Sequence, residues 1–104
     1  AHSRAEVVEF HTGAYAHALD DGDAETARVI LKQLREGGAL AHAAGLEVHY
    51  GHGLTFDNVA PIAAIPEARE LNIGHFIIGE AVFMGLGPAI RRMATLMAEA
   101  RAAA

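Results

Sequence analysis

The residues of this 104-residue chain best equipped for chemistry fall in three clusters, each closing a short apolar or β-branched run: Glu9, His11, Thr12 and Gly13, then Gly51-His52-Gly53, then Gly74-His75. An imidazole titrates near neutrality and can donate or accept a proton, so His52 is the candidate for proton transfer. Glycines beside it adopt backbone angles closed to other residues and let N–H groups approach an anion. Gly53, Gly74 and His75 are therefore candidates for holding a phosphate. Glu9 lies between apolar neighbours on a predicted strand, and an inward-facing carboxylate there requires a ligand or a buried salt bridge. His11, His52 and His75 could form a three-histidine zinc site, but no HExxH-type helical pair supports it and no metal is expected. His2, His17, His42 and His49 are assigned no chemistry: two fall in or beside helical stretches, one within a strand and one at the terminus.

Positioning those clusters on one rim requires short strands alternating with helices. Glu6 to His11 is a predicted strand, followed by a polar stretch. Asp20-Asp21-Gly22-Asp23 supplies the turn and N-cap of a helix with Ala27, Ile30, Leu31 and Leu34 on one face and Arg28, Lys32 and Arg35 on the other. Gly37-Gly38 either kinks that helix or splits it, with Gly45 as the residue that ends it. Leu46 to Tyr50 is the second strand, and Asn58 is a plausible N-cap for a short helix containing Pro61, Ile62, Ala63 and Ile65. Pro66 to Arg69 is a predicted turn before the third strand, Glu70 to Ile73. Phe76 to Val82 is apolar enough for a buried strand or a short helix. After Gly85-Leu86-Gly87-Pro88 a last helix presents Ile90, Met93, Leu96, Met97 and Ala100 opposite Arg91, Arg92 and Glu99, and the Ala-rich tail is expected to fray.

Alternating strands and helices imply parallel βα units, whose ligands gather at the carboxyl ends of the strands. Strands that read as buried on both faces, with two edges left unpaired, imply a larger sheet. A hydrophobic content of 52% suits a folded domain, and the scattered basic residues at a net charge of −5 exclude the basic stripe that binds nucleic acid. Cysteine is absent, which removes disulfides and thiolate chemistry, and no apolar run is long enough to cross a bilayer. A soluble cytoplasmic protein is the expectation.

Val8-Glu9-Phe10-His11-Thr12-Gly13-Ala14-Tyr15-Ala16, Gly51-His52-Gly53-Leu54-Thr55 with Asn58-Val59, Ile62 to Glu67, and Glu70-Leu71-Asn72-Ile73-Gly74-His75 with Ile77-Ile78-Gly79 together resemble the pyridoxine 5′-phosphate synthase family across nearly the whole chain. The resemblance implies that residues 1–104 are the C-terminal part of a single (β/α)8-barrel domain, its last three strands, incomplete as given. It implies condensation of 1-deoxy-D-xylulose 5-phosphate with 3-amino-2-oxopropyl phosphate to pyridoxine 5′-phosphate, phosphate and water, without a cofactor. Under it His52 matches the family's proton donor, Gly53, Gly74 and His75 match contacts to the amino-ketone's phosphate, and Glu9 matches a strand-end carboxylate of the site. The family's other acid/base residues and its sugar-phosphate ligands have no counterpart here, so the chain alone is expected to be inactive. The partners implied are small phosphorylated substrates and either further copies of the chain or a complementary barrel segment, with neither nucleic acid nor membrane. Two other readings compete: a non-catalytic fragment or assembly module, and a different phosphate-binding barrel such as an aldolase or epimerase. No strand here ends in the lysine that an imine-forming aldolase requires.

Overall fold

A computed structural model of the chain describes residues 6–103, apart from the side chain of His75. The order of elements is β1 (Val7–His11), α1 (Gly13–Asp20), α2 (Ala24–Ala43), β2 (Glu47–Gly51), α3 (Val59–Ala63), β3 (Ala68–Asn72), α4 (Gly74–Met84) and α5 (Leu86–Ala103). The three strands form one parallel sheet in the order β1-β2-β3, so the α/β class and the parallel arrangement read from the sequence hold.

Alternation along the strands sorts the sheet into two unlike faces. Val8 and Phe10 of β1, Val48 and Tyr50 of β2, and Ala68 and Leu71 of β3 face the helices, and Phe10 stacks on Tyr50 with ring centroids 5.5 Å apart. Each fully buried side chain of this kind contributes about 1.5–3 kcal/mol. The opposite face carries Glu9, Glu47, His49, Glu70 and Asn72, which corrects the expectation of strands buried on both sides. An irregularity in the β2–β3 pairing leaves Arg69 without a partner in β2. It lets Ala68 join the helix face while Glu70 and Asn72 join the polar one.

Helix α2 runs unbroken through Gly37-Gly38, which resolves the choice the sequence left open. A methyl group at Gly37 would lie 2.9 Å from the Phe10 ring, and one at Gly38 would overlap the Tyr50 hydroxyl, so both glycines let the helix approach the sheet closely. That hydroxyl donates to the Leu34 carbonyl at 2.7 Å, and burial, with Glu67 nearby, pushes the Tyr50 phenol up to about 12. Asp23 caps α2 by accepting from the Thr26 amide at 3.1 Å and the Thr26 hydroxyl at 2.7 Å, bonds that hold its carboxyl below the usual range. Gly45, at φ +88, follows the helix as expected.

Several local expectations are corrected. The stretch read as polar between His11 and Asp20 is helix α1, which buries Tyr15, Ala16 and Ala18. Strand β3 begins at Ala68, within the expected turn, and Phe76 to Val82 lies in helix α4 with Ile78 and Val82 exposed. The last helix is ordered through Ala103, and Ala89 takes the buried place expected of Ile90. Arg101 accounts for that order. Its Nη1 donates to the Ala63 and Ile65 carbonyls at 3.2 and 2.6 Å, tying the end of α5 to the last residue of α3 and the turn that follows it. His2 lies outside the described residues.

Candidate functional site

The carboxyl ends of the three strands meet at an open cavity of about 640 Å3, whose lining includes Glu9, His11, His52, Gly53, Asn72 and Gly74. Four of the five residues assigned a site role from the sequence, Glu9, His52, Gly53 and Gly74, therefore line one cavity. The fifth, His75, has its backbone in the first turn of α4, and its side chain is outside the described part of the structure.

His52 sits in the loop that leaves β2 and has φ +94, the sole positive φ among described residues other than glycine. Such a conformation costs about 1–3 kcal/mol and persists only where the surroundings impose it. The surroundings here are Thr12 and Gly13. The Thr12 hydroxyl donates to the His52 carbonyl at 2.6 Å, and the Thr12 amide donates to the Gly51 carbonyl at 2.8 Å. The imidazole lies over Gly13, where an added Cβ would come within 2.9 Å of His52 Cδ2. The loop beyond is tied by Asn58. Although Asn58 occupies the N-cap position of α3, its side chain makes no capping bond. Its Oδ1 instead accepts from the Thr55 amide at 2.8 Å and its Nδ2 donates to the Gly53 carbonyl at 3.0 Å. The Tyr15 hydroxyl adds a bond to the Asn58 carbonyl at 2.8 Å, and burial raises the Tyr15 phenol.

Glu9 extends from the polar face of β1 towards the same cavity. Its Oε1 accepts from Asn72 Nδ2, which fixes the carboxylate from across the sheet, and its Oε2 lies 3.9 Å from His11 Nε2. The His11 ring is loosely stacked on that of His52, with centroids 6.0 Å apart and planes 24° apart. Two imidazoles and a carboxylate thus share one opening, an arrangement able to take up and return protons to a bound substrate. Gly74 begins α4, and a Cβ placed there would meet nothing within 4 Å. The first-turn N–H groups of a helix have no intrahelical acceptors, and together with the helix dipole they favour an anion. Gly53, at φ +78, packs so closely on α1 that a Cβ would lie 2.9 Å from that of Ala16.

Three residues given no role from the sequence gain one from the structure. Asn72 orients Glu9, and its placement in Glu-Leu-Asn-Ile-Gly-His at a strand end was the available signal. Thr12 is fully buried, and its signal was its position between His11 and Gly13. His49 has a side chain only 12% exposed on the polar face, with Nε2 2.6 Å from Glu47 and Nδ1 3.1 Å from Glu70. The imidazole thus lies between a carboxylate of its own strand and one of β3, and so bridges β2 and β3. Period-two spacing of Glu47 and His49 was the clue. Among the described residues no group of three or more His, Asp or Glu side chains is disposed to hold a metal ion.

Comparison with known proteins matches residues 1–99 to the family model described as pyridoxal phosphate biosynthesis protein PdxJ. The chain is 61% identical over 98 residues to the pyridoxine 5′-phosphate synthase of Ruegeria pomeroyi, covering 94% of this chain and 40% of that protein. It is 59% identical over 97 residues to the protein of the same name from Caulobacter vibrioides, covering 93% of this chain and 38% of the other. The Roseobacter denitrificans synthase is 58% identical over 98 residues, with 94% and 39% covered. The chain thus spans about 40% of the length of these curated relatives.

Proposed function

This chain belongs to the PdxJ family of pyridoxal phosphate biosynthesis proteins, and from that premise we propose that it forms one side of the active site of a pyridoxine 5′-phosphate synthase. The reaction is the condensation of 1-deoxy-D-xylulose 5-phosphate with 3-amino-2-oxopropyl phosphate, yielding pyridoxine 5′-phosphate, phosphate and water. The sheet contributes three adjacent strands of a (β/α)8 barrel, with the polar face inward. Identity near 60% to proteins bearing that name, over nearly all of this chain, supports the activity.

The observation that carries the assignment is the meeting of His52, Glu9 and Gly74 around one cavity at the carboxyl end of a parallel sheet. His52 transfers the protons that imine formation and dehydration require, and Glu9, held by Asn72, provides a fixed negative charge beside the cations that form on the way. Gly53, Gly74 and the backbone of His75 hold the phosphate of the amino-ketone at the start of α4.

The test is His52→Asn in a protein of full family length that contains this sequence, with turnover and melting temperature measured on one preparation. Turnover falls roughly 10²–10⁴-fold at an unchanged melting temperature if His52 transfers the proton. A well-folded variant with near-normal turnover refutes the role.

A further inference from the structure

We propose that Thr12 is the positioning residue for His52: its buried hydroxyl holds the His52 peptide in the positive-φ conformation from which the imidazole reaches the cavity. The inference rests on the reading of His52 as the proton-transfer residue.

Thr12 has no exposure to solvent and is not among the residues lining the cavity, so it acts on a ligand only through something else. It occupies the N-cap position of α1, where a threonine hydroxyl ordinarily accepts from an amide of the first turn. Here it makes no such bond and donates to the His52 carbonyl at 2.6 Å instead. The cap is forgone for the contact with His52. Among the described residues no other side chain bonds to the His52 carbonyl. Neighbouring contacts converge on the same outcome. The Thr12 amide holds the Gly51 carbonyl at 2.8 Å, and Gly13 leaves the space that the ring occupies. Without the hydroxyl, the His52 peptide is free to relax towards negative φ, which swings the side chain away from its place over Gly13.

The experiment compares wild type, Thr12→Val, Thr12→Ala, His52→Asn and the Thr12→Val/His52→Asn double variant in a protein of full family length containing this sequence, with Thr12→Ser as the conservative control. Valine matches threonine in shape but carries a methyl group in place of the hydroxyl, and Thr12→Ala removes the hydroxyl without putting a methyl in its place. The expected result is a fall in kcat of about 10–100-fold for Thr12→Val with KM little changed, and near-wild-type turnover for Thr12→Ser. In the His52→Asn background Thr12→Val should cause no further loss, because it acts through the imidazole that is already gone. The ring resonances of His52 in an imidazole correlation spectrum should shift in Thr12→Val and stay in place in Thr12→Ser.

Undiminished kcat in Thr12→Val overturns the proposal, as does a loss that persists in full when His52 is absent. If neither Thr12→Val nor Thr12→Ala folds while Thr12→Ser does, the hydroxyl supports the fold at large and the proposal fails. Normal turnover in His52→Asn removes the proton-transfer reading itself. That outcome is distinct from a failure confined to Thr12, in which His52→Asn is impaired and Thr12→Val is not.

Discussion

Two glycines of the candidate site serve different ends, and substitution separates them. Gly53 is needed for packing, since its positive φ and its contact with Ala16 leave no room for a side chain. Gly74 meets no such limit. Its φ is not positive and a Cβ there would meet nothing within 4 Å, so the fold does not require glycine at this position, and the role proposed for it is to leave room for a phosphate at the start of α4. Gly74→Val should therefore fold with a melting temperature within a few degrees of wild type and bind inorganic phosphate about tenfold or more weakly, as titration calorimetry would measure. Unaltered affinity would remove Gly74 from the phosphate site. The types of these residues were legible in the sequence, because glycine beside histidine at a strand end recurs. Their separate reasons were not, because the neighbours that distinguish them come from α1, a helix that the sequence reading missed.

Helix α2 shows how an element can violate a local rule to satisfy a tertiary one. Glycine inside a helix is about 1 kcal/mol less favourable than alanine, so Gly38→Ala would stabilise an isolated helix by that amount. Here the added methyl would overlap the Tyr50 hydroxyl and disturb its bond to Leu34, a strain of about 1–3 kcal/mol in a packed core. Gly38→Ala should lower the melting temperature by several degrees, and a rise would show that the helix can move off the sheet without loss. Helix α1 teaches the converse. Its alanines and Tyr15 fit a helix well enough, but Thr12 makes no cap bond and no acidic residue stands in the first turn, so the usual start signals are weak. In β3 the amphipathic pattern is displaced by the unpaired Arg69, and register of that kind is settled by the neighbouring strand.

At the scale of the whole chain, the described residues leave much surface unsatisfied. Strands β1 and β3 each pair only with β2, and the polar face of the sheet has no layer over it. On α4 and α5, Val82 and Phe83 are 79% and 86% exposed, beside Ile78, Leu86 and Ile90. Unpaired edges and an open apolar surface favour association. We predict that the 104-residue polypeptide does not persist as a stable monomer and that sedimentation at micromolar concentration finds larger species. Cooperative unfolding of a strictly monomeric sample would contradict this. The open polar face holds the cluster of Glu9, Glu47, His49 and Glu70.

By itself the sequence determined the parallel βα order, the amphipathic face of α2, the cap at Asp23 and the three strand ends that meet at one cavity. Each of these is set by residues close together along the chain: period-two or period-3.6 spacing, an N-cap side chain, or glycine after a strand. The tertiary structure decided matters that depend on residues far apart. It joined Asn72 to Glu9 and Thr12 to His52, and it placed His49 between Glu47 and Glu70. It also made Gly37-Gly38 a contact with the sheet rather than a break. A side chain's partner across a parallel sheet is chosen by register and by the close approach of helix to strand, and neither is written in the spacing of neighbouring residues.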